Sequence, residues 1–235
     1  MWSKRLQRSW PLWVALLALI PAAAQAASAS ISPSLDFRIW EMIRASGLIA
    51  YVLLSVSMIV GIAVRVRALD WLMKRAWVLE GHQTLSVLAL VFTGGHMVFT
   101  LMNQFLPFTV LGILVPFATG WRPVAIALGI VGFYLLAMLT LSSWLRPVIG
   151  QKTWRTIHYS GFACWVVALA HGVFSGSDTS VAWVQWMYVV SAAAVGSLIA
   201  FRVLTASRSR AQLPQARVAS NPSSRTMPFD EAGQG

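Results

Sequence analysis

The chain is a succession of apolar runs, each close to twenty residues long, and that leaves few folds open to it. The runs lie at about 40–64, 82–105, 123–145, 156–174 and 181–204. A helix needs about 20 residues to cross the hydrocarbon core of a bilayer. Water is absent there, so only helices and closed barrels can satisfy their own backbone polar groups. The runs lack the apolar–polar alternation of barrel strands. The expected fold class is therefore an all-α integral membrane helical bundle with five transmembrane helices. Composition agrees: 57% of the 235 residues are hydrophobic and 11% charged, against roughly 25% charged in a soluble domain.

The N-terminus admits two readings. Lys4, Arg5 and Arg8 form a basic start, residues 11–20 a short apolar core, and Ala24-Gln25-Ala26 a small-x-small cleavage site. Together they read as a signal peptide at 1–26, followed by an outer segment at 27–39. The other reading is an uncleaved first transmembrane helix, which would make six. Residues 107–118 are apolar but too short to span and are expected to be interfacial or re-entrant. The segment 206–235, rich in Ser, Pro, Gln and Arg, is expected to be a disordered basic tail, lying on membrane lipids through anionic headgroups or simply solvated.

The net charge of +11 comes from Lys and Arg in short runs between apolar stretches. Such runs are topological signals, and no nucleic-acid partner is expected. Arg65, Arg67, Lys74 and Arg75, then Arg146, Lys152 and Arg155, then Arg202 and the tail arginines all fall on one side. The positive-inside rule makes that side cytoplasmic, with the C-terminus inside. The one cysteine, Cys164, excludes an intramolecular disulfide and a C-x-x-C-H haem attachment; it reads as a small packed hydrophobe.

Four histidines carry the chemistry: His82, His96, His158 and His171. All fall in or at the ends of the second and fourth runs. One span separates those two, so they run in the same direction. His82 and His158 open their spans on the cytoplasmic side, and His96 and His171 lie deeper toward the outer side. Two pairs result, at two depths. The 14 residues from His82 to His96 rise about 21 Å in about 3.9 turns, so both rings leave nearly one face. The 13 residues from His158 to His171 fall about 140° short of that on an ideal helix and call for a local distortion.

Neutral imidazoles on two helices are the ligands a b-type haem needs, and two axial histidines give a closed iron suited to electron transfer. The expected cofactors are thus two haem b groups, each bis-His ligated. Gly94, Gly95, Gly161 and Gly172 would let porphyrins fit. Arg155 and Lys152 on the inner side, and Arg44 and Arg122 on the outer side, could meet the propionates. The alternative for each is a topological or snorkelling charge. A single intramembrane histidine is often an interhelical hydrogen-bond partner or part of a proton relay. Four of them, paired by depth, favour iron.

These residues carry a resemblance. The stretch Trp154-Arg-Thr-Ile-His158-Tyr-Ser-Gly161, continuing to His171-Gly-Val-Phe-Ser-Gly-Ser-Asp178, resembles the ferric reductase-like transmembrane domain shared by ferric reductases and NADPH oxidases. So does the segment from His82 to His96, and Arg44 in Ile-Arg-Ala-Ser-Gly matches an Arg-x-x-Gly position of that domain. The likeness covers about 40–205. It implies an inner haem on His82 and His158 and an outer one on His96 and His171, with Arg44 and Arg155 as further cofactor-binding residues.

About thirty polar residues follow the last span, without Gly-x-Gly-x-x-Gly, so no flavin or NADPH site is expected on this chain. It is therefore similar to stand-alone bacterial members. More distantly, it is similar to the haem subunit of the periplasmic methionine sulfoxide reductase system, which keeps equivalents of His96, His158 and His171 but not His82. The implied function is a di-haem transmembrane cytochrome in the bacterial cytoplasmic (inner) membrane. Electrons would come from a separate donor (a reductase, flavoprotein or quinol) and go to an outer acceptor (ferric iron, oxygen, a quinone or a protein). Direct ferric or metal reduction at the outer face, or a non-redox transporter or scaffold with structural histidines, are the alternatives.

Overall fold

The computed structural model describes residues 32–66, 74–106 and 108–219, with side chains to 204. Six helices follow in order: α1 (Pro33–Val66), α2 (Arg75–Met102), α3 (Val110–Leu114), α4 (Pro123–Tyr159), α5 (Gly161–Ser175) and α6 (Ala182–Ala219). Among the described residues there is no strand.

Four continuous helical stretches are long and apolar enough to cross a membrane, the longest being the 53 residues Pro123–Ser175. At 1.5 Å per residue a straight helix of that length would reach about 80 Å, far more than a bilayer. The chain instead folds back. Gly150 adopts φ 79°, ψ 160°, a left-handed conformation open to glycine, three residues after Pro147. Beyond it, Trp154 Nε1 donates to Ser143 Oγ, the Cys164 thiol to the Gly132 carbonyl, and His171 Nδ1 to the Ala125 carbonyl. Partners that step in opposite directions define an antiparallel hairpin. The stretch is therefore two spans, and the described residues hold five.

A second hairpin joins α1 and α2. Asn103 Nδ2 and the Gln104 backbone N–H donate to the buried Asp36 carboxylate at one end, and the His82 ring meets Ser57 near the other. Across the hairpins, α1 runs antiparallel to α5: Trp165 Nε1 donates to Ser55 Oγ, and Arg44 pairs with Asp178 just past the end of α5. So α2 and α5 are parallel, as the sequence predicts for the second and fourth spans.

In lipid, helices associate through close packing rather than the hydrophobic effect. The buried contacts are accordingly small or polar: Ala89 is wholly buried beside Leu136, Leu139 and Cys164, and Ser46, Ser55 and Ser57 line the inner face of α1. Val91, Val124, Val166 and Val190 are exposed, as lipid-facing residues would be. Tyr51 donates or accepts at Ser191 Oγ (2.6 Å) and packs edge-on to Tyr188, fastening the start of α6 to α1.

Boundaries depart from expectation in three places. The segment expected as an outer loop to residue 39 is helical from Pro33, where proline suits a first helical turn. The second span begins at Arg75, two turns before His82. The tail expected to be disordered from 206 is helical to Ala219; its Ala, Arg, Gln and Leu are good helix formers that extend a helix already nucleated. Two compact units divide the chain, Met1–Val195 and Gly196–Gly235. The expected signal peptide at 1–26 and the tail beyond 219 lie outside the described residues. Of the apolar stretch 107–118, the described part holds α3, capped by Thr109, whose hydroxyl accepts from the Gly112 N–H.

Candidate functional site

The four histidines come together as two pairs. The rings of His82 and His158 lie with centroids 6.1 Å apart and planes at 78°. Those of His96 and His171 lie 6.3 Å apart at 82°. The first pair sits toward the end of the bundle that carries the Gly150 turn. The second sits toward the end that carries α3. These separations have a chemical meaning. Two imidazoles bound through Nε2 on opposite sides of one metal ion have centroids about 6.3 Å apart, given a metal–nitrogen bond of about 2.0 Å and about 1.15 Å from nitrogen to ring centre.

The 13-residue spacing in the fourth span is resolved by a break. Ser160 ends α4, its N–H turning to Ile157, and α5 begins at Gly161. The interruption falls between His158 and His171, so the two need not share an ideal helical face.

Three of the rings are oriented by a backbone carbonyl on the facing span. His82 Nδ1 donates to the Ser57 carbonyl (2.9 Å), His96 Nδ1 to the Ile43 carbonyl (2.9 Å) and His171 Nδ1 to the Ala125 carbonyl (2.8 Å). A carbonyl only accepts, so in each case Nδ1 holds the proton and Nε2 keeps its lone pair. In each case the residue four positions after that carbonyl is glycine: Gly61, Gly47 and Gly129. A Cβ on Gly61 or Gly47 would stand 3.0 Å from the imidazole, and one on Gly129 would stand 2.6 Å from it. These glycines let the ring lie against the neighbouring helix.

From the sequence, such room is expected beside the histidines themselves, at Gly94, Gly95, Gly161 and Gly172, and not at these positions. A signal was present: Gly47 and Gly61 are 14 residues apart, as are His82 and His96. Of the glycines singled out, Gly172 is tightly packed, 2.7 Å separating its would-be Cβ from the Tyr188 hydroxyl, whereas Gly94 faces open space.

Beside the second pair lies a cavity of about 230 Å³, walled by apolar residues such as Leu136 and Phe108 and reaching both His96 and His171. Arg44 and Asp178 also line it. They form a two-point ion pair, Nε to Oδ2 at 2.7 Å and Nη2 to Oδ1 at 2.6 Å. Arg44 is thus held at the second pair, as its place in the first span predicts, with a carboxylate partner that the sequence did not reveal. Arg122 stacks over Trp121 and donates to the Phe174 carbonyl at the end of α5, which occupies it structurally. Arg155 and Lys152 are exposed on the segment between the Gly150 turn and His158.

At each level the donor set is two imidazoles at a separation that two ligands of one haem iron would have. No family model, no curated protein and no solved structure matches this chain.

Proposed function

We propose that this chain is a di-haem b-type transmembrane cytochrome that moves electrons across the cytoplasmic membrane. The observation that carries the reading is the double coincidence of ring separation: two histidine pairs, at two levels of one bundle, both at a separation that two imidazoles holding one ion would have. His82 and His158 would hold one haem, His96 and His171 the other. Bound there, each haem would supply a one-electron Fe(III)/Fe(II) couple.

The protein's own residues do the rest. The Ser57, Ile43 and Ala125 carbonyls hold three rings in the tautomer that presents Nε2. A hydrogen bond of this kind also raises the basicity of the ligating nitrogen. Arg44 and Arg155 would supply positive charge for propionates. With the basic loops inside, His82–His158 is the inner site and His96–His171 the outer one. Electrons enter from a separate donor and leave to an acceptor at the outer face. Direct reduction of ferric iron there is the second reading, and the cavity beside His96 and His171 is what favours it.

The test is a reduced-minus-oxidised spectrum with haem stoichiometry on the full-length protein. Two b-type haems per chain are expected. Protein that folds and carries none would refute the proposal.

A further inference from the structure

His158 breaks every rule the other three histidines obey. His82, His96 and His171 each have a carbonyl acceptor on Nδ1 and a glycine one turn further along the facing helix. Each is also followed four residues later by a hydroxyl that donates back to the histidine's own carbonyl: Ser86, Thr100 and Ser175. His158 has neither. Its Nδ1 is buried with no hydrogen-bond partner, and four residues on stands Phe162.

What His158 has instead is a stacking partner: the Trp154 ring lies 4.7 Å away at 27°, itself pinned by Ser143 and by the Arg146 guanidinium. Stacking restrains the plane of the ring but does not choose which nitrogen carries the proton. His158 also lies two residues before the break at Ser160, whereas the other three sit within unbroken helix.

We propose that the two metal sites are unequal, and that His158 is the exchangeable ligand of the His82–His158 site. The inference rests on the haem reading above. Loss of an outer-shell partner weakens a metal–histidine bond by about 10–100-fold. His158 Nε2 therefore gives up the ferrous iron to carbon monoxide, while His96 and His171, both locked, keep theirs.

The experiment uses full-length wild-type protein in lipid nanodiscs, with haem counted by pyridine haemochrome, reduced with dithionite and titrated with carbon monoxide. Carbon monoxide should bind one of the two haems. In His96→Ala protein the haem that remains should bind carbon monoxide, and in His82→Ala protein the haem that remains should not. Phe162→Ser, which gives His158 the hydroxyl that the other three histidines have four residues on, should lower carbon monoxide affinity at the His82–His158 site. Two haems of which neither or both bind carbon monoxide would overturn the inequality, as would carbon monoxide binding by the haem that remains in His82→Ala protein. Wild-type protein with no haem would instead overturn the proposed function itself.

Discussion

Replacing Gly129 by alanine tests the positioning of the histidines most sharply. The added Cβ would lie 2.6 Å from both Nδ1 and Cε1 of His171, well inside van der Waals contact. Either the ring swings away from α4 or the two helices part. The first response breaks the 2.8 Å bond from Nδ1 to the Ala125 carbonyl. By outer-shell precedent that costs about 10–100-fold in metal affinity, or about 1.4–2.8 kcal/mol. The second response costs about 1–3 kcal/mol of overpacking. Either way the His96–His171 site suffers and the His82–His158 site does not. Gly81→Ala is the control. It adjoins a histidine in sequence, yet a Cβ there meets nothing within 4 Å, and alanine should favour the helix by up to about 1 kcal/mol. Haem per chain, measured by pyridine haemochrome after purification, should fall from two toward one in Gly129→Ala and stay at two in Gly81→Ala. Gly129→Ala protein with two haems and an unaltered spectrum would refute the argument that glycine makes room for the ring.

Other outcomes follow from the same geometry. His82→Ala and His96→Ala should each lose about one of two haems, with an unchanged count in both defeating the pairing. The ring planes at 78° and 82° should give ferric low-spin electron paramagnetic resonance signals of the strongly anisotropic kind that crossed imidazoles produce. Asp178→Asn, which removes the anion paired with Arg44, should raise the midpoint potential of one haem by tens of millivolts and leave the other, on the order expected for a charge at this range in a partly screened site; a redox titration reads both. Trp165→Phe removes a buried donor to Ser55 and should lower stability by about 1–3 kcal/mol without changing haem content, as seen by thermal unfolding in detergent. For orientation, Gln151→Cys in a Cys164→Ala background should react with a membrane-impermeant maleimide only from the cytoplasmic side.

Much of the architecture could be read directly from residues. The apolar runs gave five spans because length and hydropathy are local properties. The parallel direction of the two histidine spans needed only counting. Pairing by depth followed from 1.5 Å per residue. The hairpin turn was harder: Pro147 and Gly150 are ordinary punctuation in a sequence, and only the left-handed φ shows where the chain reverses. The partners of the histidines were out of reach for a different reason. Gly47, Gly61 and Gly129 sit on other helices, and which glycine faces which ring depends on helix rotation, which no local pattern encodes. Arg44 stood out as a charge in an apolar run, but Asp178 is 134 residues away. Helix ends were misjudged because hydropathy marks where lipid begins, while the backbone stays helical beyond it, from Pro33 in α1 and from Arg75 in α2.

The carbonyl bonds have a consequence for biogenesis. His82 and His96 are aimed by α1, the other arm of their own hairpin, and His171 by α4, the other arm of its own. The first hairpin would therefore leave the insertion machinery with both of its rings already set, before the second half of the protein exists, and the second with His171 set. On the proposed function, capture of an iron porphyrin would amount to clasping the two hairpins around a guest, with the entropic cost of orienting three of the four ligands met in advance.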